Sequence, residues 1–245
     1  MQEVTQYTKR LGLQLLDLIY PLFCVICGAK VPADSGELCA SCLETFPKNE
    51  PPFCPFCGQG SLCESDPALC PSCHGRPFVF DRAWSAALYQ GAVRDCLHHF
   101  KYRERALLAK PLAGLLVRFA ERHLPLTSFD AIVSVPLSRR RERERGFNQA
   151  ALLSQEISRV SHLPLLKDCL LRFRETPSQI TLSKEERLHN VAGAFRIKTP
   201  SAVEGRRLLL VDDIFTTGAT ANACATTLKE TGAVSVSVLT LARGQ

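Results

Sequence analysis

Four C-x-x-C pairs crowd the first third of this chain: Cys24/Cys27, Cys39/Cys42, Cys54/Cys57 and Cys70/Cys73. No other feature restricts the fold as tightly. Of twelve cysteines, nine fall between positions 24 and 73. Two pairs open as CVICG and CPFCG, where a glycine permits the tight turn that aims both sulfurs at one point. Eleven residues separate the pairs in the first half and twelve in the second, room for a short hairpin that sets one pair opposite the other. Four thiolates in tetrahedral array make a closed structural zinc site. Disulfides would require an oxidising compartment that nothing else in the sequence supports, and a thioredoxin-like motif would explain one pair, not four. The spacing predicts two zinc ions, one on Cys24, Cys27, Cys39 and Cys42, the other on Cys54, Cys57, Cys70 and Cys73, in two stacked ribbons joined at Pro51-Pro52. A crossed pairing is the alternative that spacing leaves open. Cys63 and His74 lie nearby, and a free thiol and a surface histidine are the readings adopted for them. The ribbons hold few large apolar residues, so metal supplies much of their folding free energy, and they are expected to fold on a core separate from that of the C-terminal domain. With every ligand position filled, they are not catalytic.

From about Pro77 the composition changes. RAWSAALYQ (82–90), FDAIVSVPL (129–137), RRLLLVDDIF and VSVSVLTLA read as strands. Between them lie helical stretches: two across 91–124, NQAALLSQEISRV (148–160) with Asn148 as N-cap, and ATANACATTLKETG closing at Gly232. Strands alternating with helices predict parallel β-α-β units. Residues 8–23 have a basic start and an apolar stretch, like a signal peptide. Asp17 and Pro21 interrupt them, and they are too short to span a bilayer. They read as an amphipathic helix bearing Leu11, Leu15, Leu18 and Ile19, and a cytoplasmic location is expected. A net charge of +6 permits an acidic partner but is equally explained by solubility.

The segment LLLVDDIFTTGAT (208–220) sets two aspartates at the end of an apolar strand, before a loop of threonines and one glycine. In open parallel sheets, ligands sit beyond the carboxyl ends of the strands. The loop leads into a helix N-terminus, where free N–H groups and the helix dipole favour a phosphate. Gly218 lets backbone approach closely, and Asp212 and Asp213 suit sugar hydroxyls directly or through Mg²⁺. Core packing is not expected to depend on either carboxylate. Asp-Asp after an apolar strand also occurs in Walker B segments, but no G-x-x-x-x-G-K-[ST] accompanies it. The bland reading is two acids that merely solvate a loop.

LLLVDDIFTTGAT resembles the phosphoribosyl pyrophosphate (PRPP) loop of type I phosphoribosyltransferases. Together with the ribbons, the leader LLDLIYPLFCVICG and RRRERERGFNQA, it resembles the ComF family of competence-associated proteins, over nearly the whole chain. That resemblance implies an N-terminal helix over 1–20, a double zinc ribbon over 21–76 and a parallel-sheet α/β domain of phosphoribosyltransferase type over 77–245. It places the ribose 2′- and 3′-hydroxyls on Asp212 and Asp213, and the 5′-phosphate on Thr216, Thr217, Gly218, Ala219 and Thr220. Pyrophosphate falls on the Val135–Arg140 segment, with Val135, Pro136, Arg139 and Arg140 as binding residues.

Further basic segments admit two readings each. Five arginines and two glutamates occupy residues 139–145, either an internally paired solvated helix or a set partly facing the site. Residues 172–195 sit where type I enzymes carry a lid. Ser183 and Glu186 form a capping box there, and Gln179, Arg187 and Asn190 would act on closure, Arg187 as a catalytic candidate. The alternative for Arg187 is pairing with a neighbouring glutamate. His98, His99, Lys101 and Tyr102 have the composition of a single-strand nucleic-acid patch or of an ordinary helix surface. Two functions follow. One is a PRPP- and Mg²⁺-binding protein that handles incoming single-stranded DNA in natural transformation, with DNA-uptake proteins as partners. The other is a phosphoribosyltransferase of nucleotide metabolism with an acceptor yet to be named, whose hood could come only from the segment between the ribbons and FDAIV.

Overall fold

The computed structural model describes residues 21–32, 34–60, 70–71, 73, 78–102, 105–174 and 193–244. The predicted helix over 1–20, Cys63, His74, and the lid residues Gln179, Ser183, Glu186, Arg187 and Asn190 lie outside these residues. The fold class is the expected one, a parallel α/β sheet preceded by a cysteine-ribbon region. The sheet contains β3 (Arg82–Leu88), β4 (Ala131–Ser134), β7 (Arg207–Phe215) and β8 (Ser235–Arg243) in the order β3-β8-β7-β4. All three pairings are parallel. Helices α2 (Gly91–Tyr102), α3 (Ala109–His123), α5 (Gln149–Ser161) and α6 (Ala219–Glu230) follow or separate these strands.

β7 reads as an unbroken apolar run because both of its faces are covered. Leu208, Leu209, Leu210 and Val211 are all fully buried. Leu209 and Val211 join a core with α2, α3 and α5, while Leu208 and Leu210 join another with α6. Asn148 caps α5 as expected, its Oδ1 accepting from the Ala150 and Ala151 amides. A small antiparallel pair, β5 (Leu170–Arg172) and β6 (Phe195–Ile197), was not foreseen; three-residue strands are too short to show a period.

The ribbons depart from expectation in two respects. The hairpin of β1 (Leu22–Phe23) and β2 (Lys30–Val31) brackets the first C-x-x-C turn, and the second pair rides on α1 (Ala40–Glu44), which Cys39 caps through its sulfur. Separate cores are not found either. Cys24, Val31, Leu38, Cys42 and Phe46 pack with α2, α3 and α5, whereas Cys54, Cys57, Cys70 and Cys73 pack with α6 and Phe80. The chain between the ribbons crosses the sheet edge: Lys48 bridges Ala87 in antiparallel fashion, Leu88 N–H donates to Pro47 O, and Asn49 N–H to Ala86 O. Buried Asn49 then ties both sides together, donating to Gly58 O at 2.8 Å and Ser85 O at 2.9 Å. Edge strand β3 is thereby covered rather than left as an open template.

Candidate functional site

Central strand β7 carries the aspartates, and its ladder continues past them to Phe215, where it opposes Arg243 of β8. Side chains alternate along a strand, so the two carboxylates point to opposite sides of the sheet. Asp213, on the α2 side, is 9% exposed and takes an ion pair from Lys101 Nζ at 2.6 Å. Asp212 faces the α6 side, and its Oδ1 accepts the Asp213 backbone N–H at 2.8 Å. Burial pushes the Asp212 carboxyl up to about 7, and the Asp213 charge adds to the rise; that backbone bond and the charges of Lys101 and Arg172 pull the other way. Behind it, burial and then the Asp212 charge push the Cys224 thiol of α6 well up. The expectation that core packing is indifferent to both carboxylates therefore needs correction for Asp213, whose removal leaves a mostly buried ammonium without its partner.

The loop after β7 turns through Gly218 at φ +77° and opens α6 at Ala219. A Cβ at Gly218 would sit 2.8 Å from Phe215 Cζ, so glycine is required both for the turn and for space. Ala219 N–H donates to Thr217 Oγ1 at 3.4 Å, Thr216 is exposed, and Thr220 lies in the first turn of the helix. The 12-residue α6 directs its N-terminal amides and positive dipole end at this loop.

Beside β7, Val135 N–H donates to Val211 O at 2.9 Å, holding the Val135-Pro136 turn against the central strand. Asn148 Nδ2 donates to Val135 O at 3.0 Å, so the RGFN turn braces the same segment. Ser138 caps α4 (Arg139–Arg145), accepting from Arg141 N–H. Arg140 pairs with Glu144 at 2.8 Å on an exposed face, in agreement with the solvated-helix reading. Arg139 instead lines a cavity of about 520 Å³ with Ser134, Pro136, Asn148, Arg172 and Arg196. None of residues 212–220 lines that cavity. Half-buried Arg172 of β5 links the two places, since it lines the cavity while its charge reaches Asp212. Sequence reasoning missed Arg172 because nothing local marks it.

The basic segment at 98–102 divides. Phe100 is core, His98 and Tyr102 lie outward with ring centroids 4.9 Å apart, and Lys101 turns inward to Asp213. Arg145 stacks over the Tyr102 ring at 5.3 Å. The end of α2 thus reaches the carboxyl ends of the strands from the only segment in which sequence had allowed a hood.

Both cysteine tetrads form with the sequential pairing, their ligand atoms within 4.8 Å of one another. Sulfur–sulfur distances of 3.7 Å (Cys27 to Cys39) and 3.5 Å (Cys57 to Cys70) compare with about 3.8 Å for the edge of a tetrahedron with 2.3 Å zinc–sulfur bonds. The donor sets therefore fit two structural zinc ions. They are unequally sheltered: Cys27 is exposed and Cys39 partly so, whereas all four sulfur ligands of the second set are buried. Among the described residues, no helix is long and apolar enough to cross a membrane.

The double zinc ribbon domain family matches residues 15–74. The chain is 34% identical over 229 residues to the DNA utilization protein YhgH of Escherichia coli K12, covering 92% of this chain and 99% of that protein. It is 32% identical over 243 residues to the competence protein ComFC of Bacillus subtilis, covering 92% and 96% respectively. Among solved structures, the glutamine PRPP amidotransferase of B. subtilis aligns with a TM-score of 0.40 at 19% identity, over 59% of this chain and 30% of that one, so the match spans under a third of its length. With a third of its residues shared along almost the whole length of a ComF protein, and the ribbons in their place, this chain belongs to the ComF family.

Proposed function

We propose that this protein binds PRPP with Mg²⁺ at residues 212–220 and serves the cytoplasmic handling of single-stranded DNA during natural transformation. The observation that carries the ligand reading is the 212–220 segment itself. Two carboxylates on a central parallel strand lead, through a glycine that admits no Cβ, into the N-terminus of a 12-residue helix. The loop amides and the hydroxyls of Thr216, Thr217 and Thr220 receive the 5′-phosphate. Asp212 and Asp213 take the ribose hydroxyls, Asp213 held in place by Lys101. The Val135–Arg140 turn, with Arg139 facing the cavity, takes pyrophosphate, and Arg172 stands between the two halves of the ligand.

Asp212 fits a divalent cation. It is a half-buried carboxyl that desolvation pushes up to about 7, with no ion pair of its own among the described residues. Mg²⁺, when bound, neutralises phosphate charge beside the ribose. The competence name of the B. subtilis relative supports the DNA role, and Arg145 over exposed Tyr102 is a surface suited to stacking a base.

Calorimetric titration of PRPP with Mg²⁺ tests the ligand reading. Asp212→Asn should weaken binding about ten- to a hundredfold. No binding by wild type at millimolar PRPP overturns it, and turnover to pyrophosphate with an added acceptor would identify a transferase instead. Single-strand affinity that falls steeply with salt, and less steeply after charge removal at Arg139 to Arg141, tests the DNA role.

A further inference from the structure

The second cysteine tetrad and the phosphate loop meet through a side chain that belongs to neither motif. Arg243 ends β8 and is 5% exposed. Its Nη2 donates to the sulfur of Cys57 at 3.1 Å, its Nη1 to the Cys57 carbonyl at 2.7 Å, and its Nε to Gln59 Oε1 at 2.9 Å. The same guanidinium lies 5.0 Å from the ring centroid of Phe215, its opposite number in the β7–β8 ladder. Gly244 N–H closes the contact by donating to Phe215 O at 2.8 Å. The Phe215 ring is what Gly218 rests on: a Cβ there would meet Phe215 Cζ at 2.8 Å and Phe78 Cε1 at 3.2 Å. Phe80 completes the support, edge-on to Phe215 and stacked on Phe78 at 4.7 Å.

A buried guanidinium needs anionic or strongly accepting partners for its donors. Four thiolates around one Zn²⁺ carry a net charge of about −2, so the metal-loaded tetrad supplies that partner while fixing the position of Cys57. Hydrogen bonds to metal-bound ligands also orient those ligands and tune their affinity. Without the metal, the sulfur cluster loses both its charge and its geometry. Arg243 then loses the contact that holds it against Phe215. Among the described residues, no arginine donates to a sulfur of the first tetrad.

We propose that Arg243 ties the seating of residues 216–220 to the metal of the second tetrad, so that losing that metal, and not the metal of the first tetrad, loosens the loop. An effect of this coupling on PRPP affinity rests on the ligand reading above; the coupling itself does not.

Hydrogen exchange on the full-length, zinc-loaded protein tests it, with the β4 amides as an internal measure of intact folding. Arg243→Met should speed exchange at 216–220 with β4 still protected, and one of its two zinc ions should be held about 10- to 100-fold less tightly. Arg243→Lys, which keeps the charge but loses the fork, should do the same to a smaller degree. Cys54→Ser should reproduce the loop effect, and Cys27→Ser should leave the loop protected. Exchange at 216–220 unchanged in both Arg243 variants, or equal loosening by Cys27→Ser and Cys54→Ser, overturns the proposal. So does joint loss of protection at β4 and the loop in every variant, since the effect is then global. PRPP titration runs alongside: a wild type that fails to bind removes the ligand reading and leaves the exchange result standing.

Discussion

The Lys101–Asp213 pair gives the sharpest test of how the site is built. Lys101→Met keeps the aliphatic stem and removes the charge, leaving Asp213 as a buried carboxylate without its cation. Removing one partner of a fully buried pair costs about 3–5 kcal/mol, whereas an exposed pair is worth about 0–1. Here the side chains retain 17% and 13% of their accessibility at a separation of 2.6 Å. That places the loss just below the buried range, about 2–3 kcal/mol. For a chain of this size, each kcal/mol moves the midpoint by about 2–4 °C, so the thermal transition should fall by roughly 4–12 °C. Asp213→Asn should destabilise comparably, because it strands the ammonium. The double variant should lose less than the two singles together, with a coupling of at least about 1 kcal/mol. Denaturant unfolding of the four proteins at fixed pH supplies the cycle. Single variants within about 0.5 kcal/mol of wild type, with no coupling, would refute the buried-pair account and return Lys101 to the surface patch.

The remaining expectations concern Asp212, the second tetrad and Gly218. The folded state holds the Asp212 proton up to about pH 7, while the unfolded chain releases it near pH 4, so its contribution is complete below pH 4 and lost as pH rises toward 7. Asp212→Asn should therefore flatten the stability profile between pH 4 and 7, by at most about 4 kcal/mol; a profile parallel to wild type refutes it. Metal analysis should give about two zinc ions per chain. Because the second tetrad shares a core with α6 and Phe80, stripping it should lower the stability of the α/β sheet as well as of the ribbon; a sheet transition unmoved by chelator contradicts the shared core. Gly218→Ala should destabilise by at least about 1 kcal/mol, from the left-handed backbone and the contact with Phe215, and equal stability by denaturant titration would count against that turn.

Sequence was a good guide where a local period or spacing carries the information. The cysteine pairs chose their partners through spacing, β7 showed itself as four consecutive apolar residues buried on both faces, and Asn148 marked the start of α5. It failed where a contact joins distant positions. Lys101 reads as one more cation in CLHHFKYRER, and only the packing of α2 across the strand ends turns it toward Asp213. Arg243 lies 186 positions from Cys57, and the arginine in LARGQ reads as an unremarkable tail. Ribbon independence was misjudged for the same reason, because the edge pairing of residues 47–49 with β3 leaves no mark on either segment alone.

Adjacent aspartates invite a symmetrical reading in which both serve one ligand in one way. Strand alternation works against that symmetry, since neighbours on β7 face different helices and different charges. Asp213 has its positive partner already, so a ligand can use it only as an oriented acceptor or by displacing Lys101. Asp212 has an amide donor and two cations acting from a distance, which leaves its carboxyl pushed up to about 7. On the proposed reading, the incoming cation and ribose would find one carboxylate held by Lys101 and the other still to be ionised. Binding at Asp212 would release a proton near neutral pH.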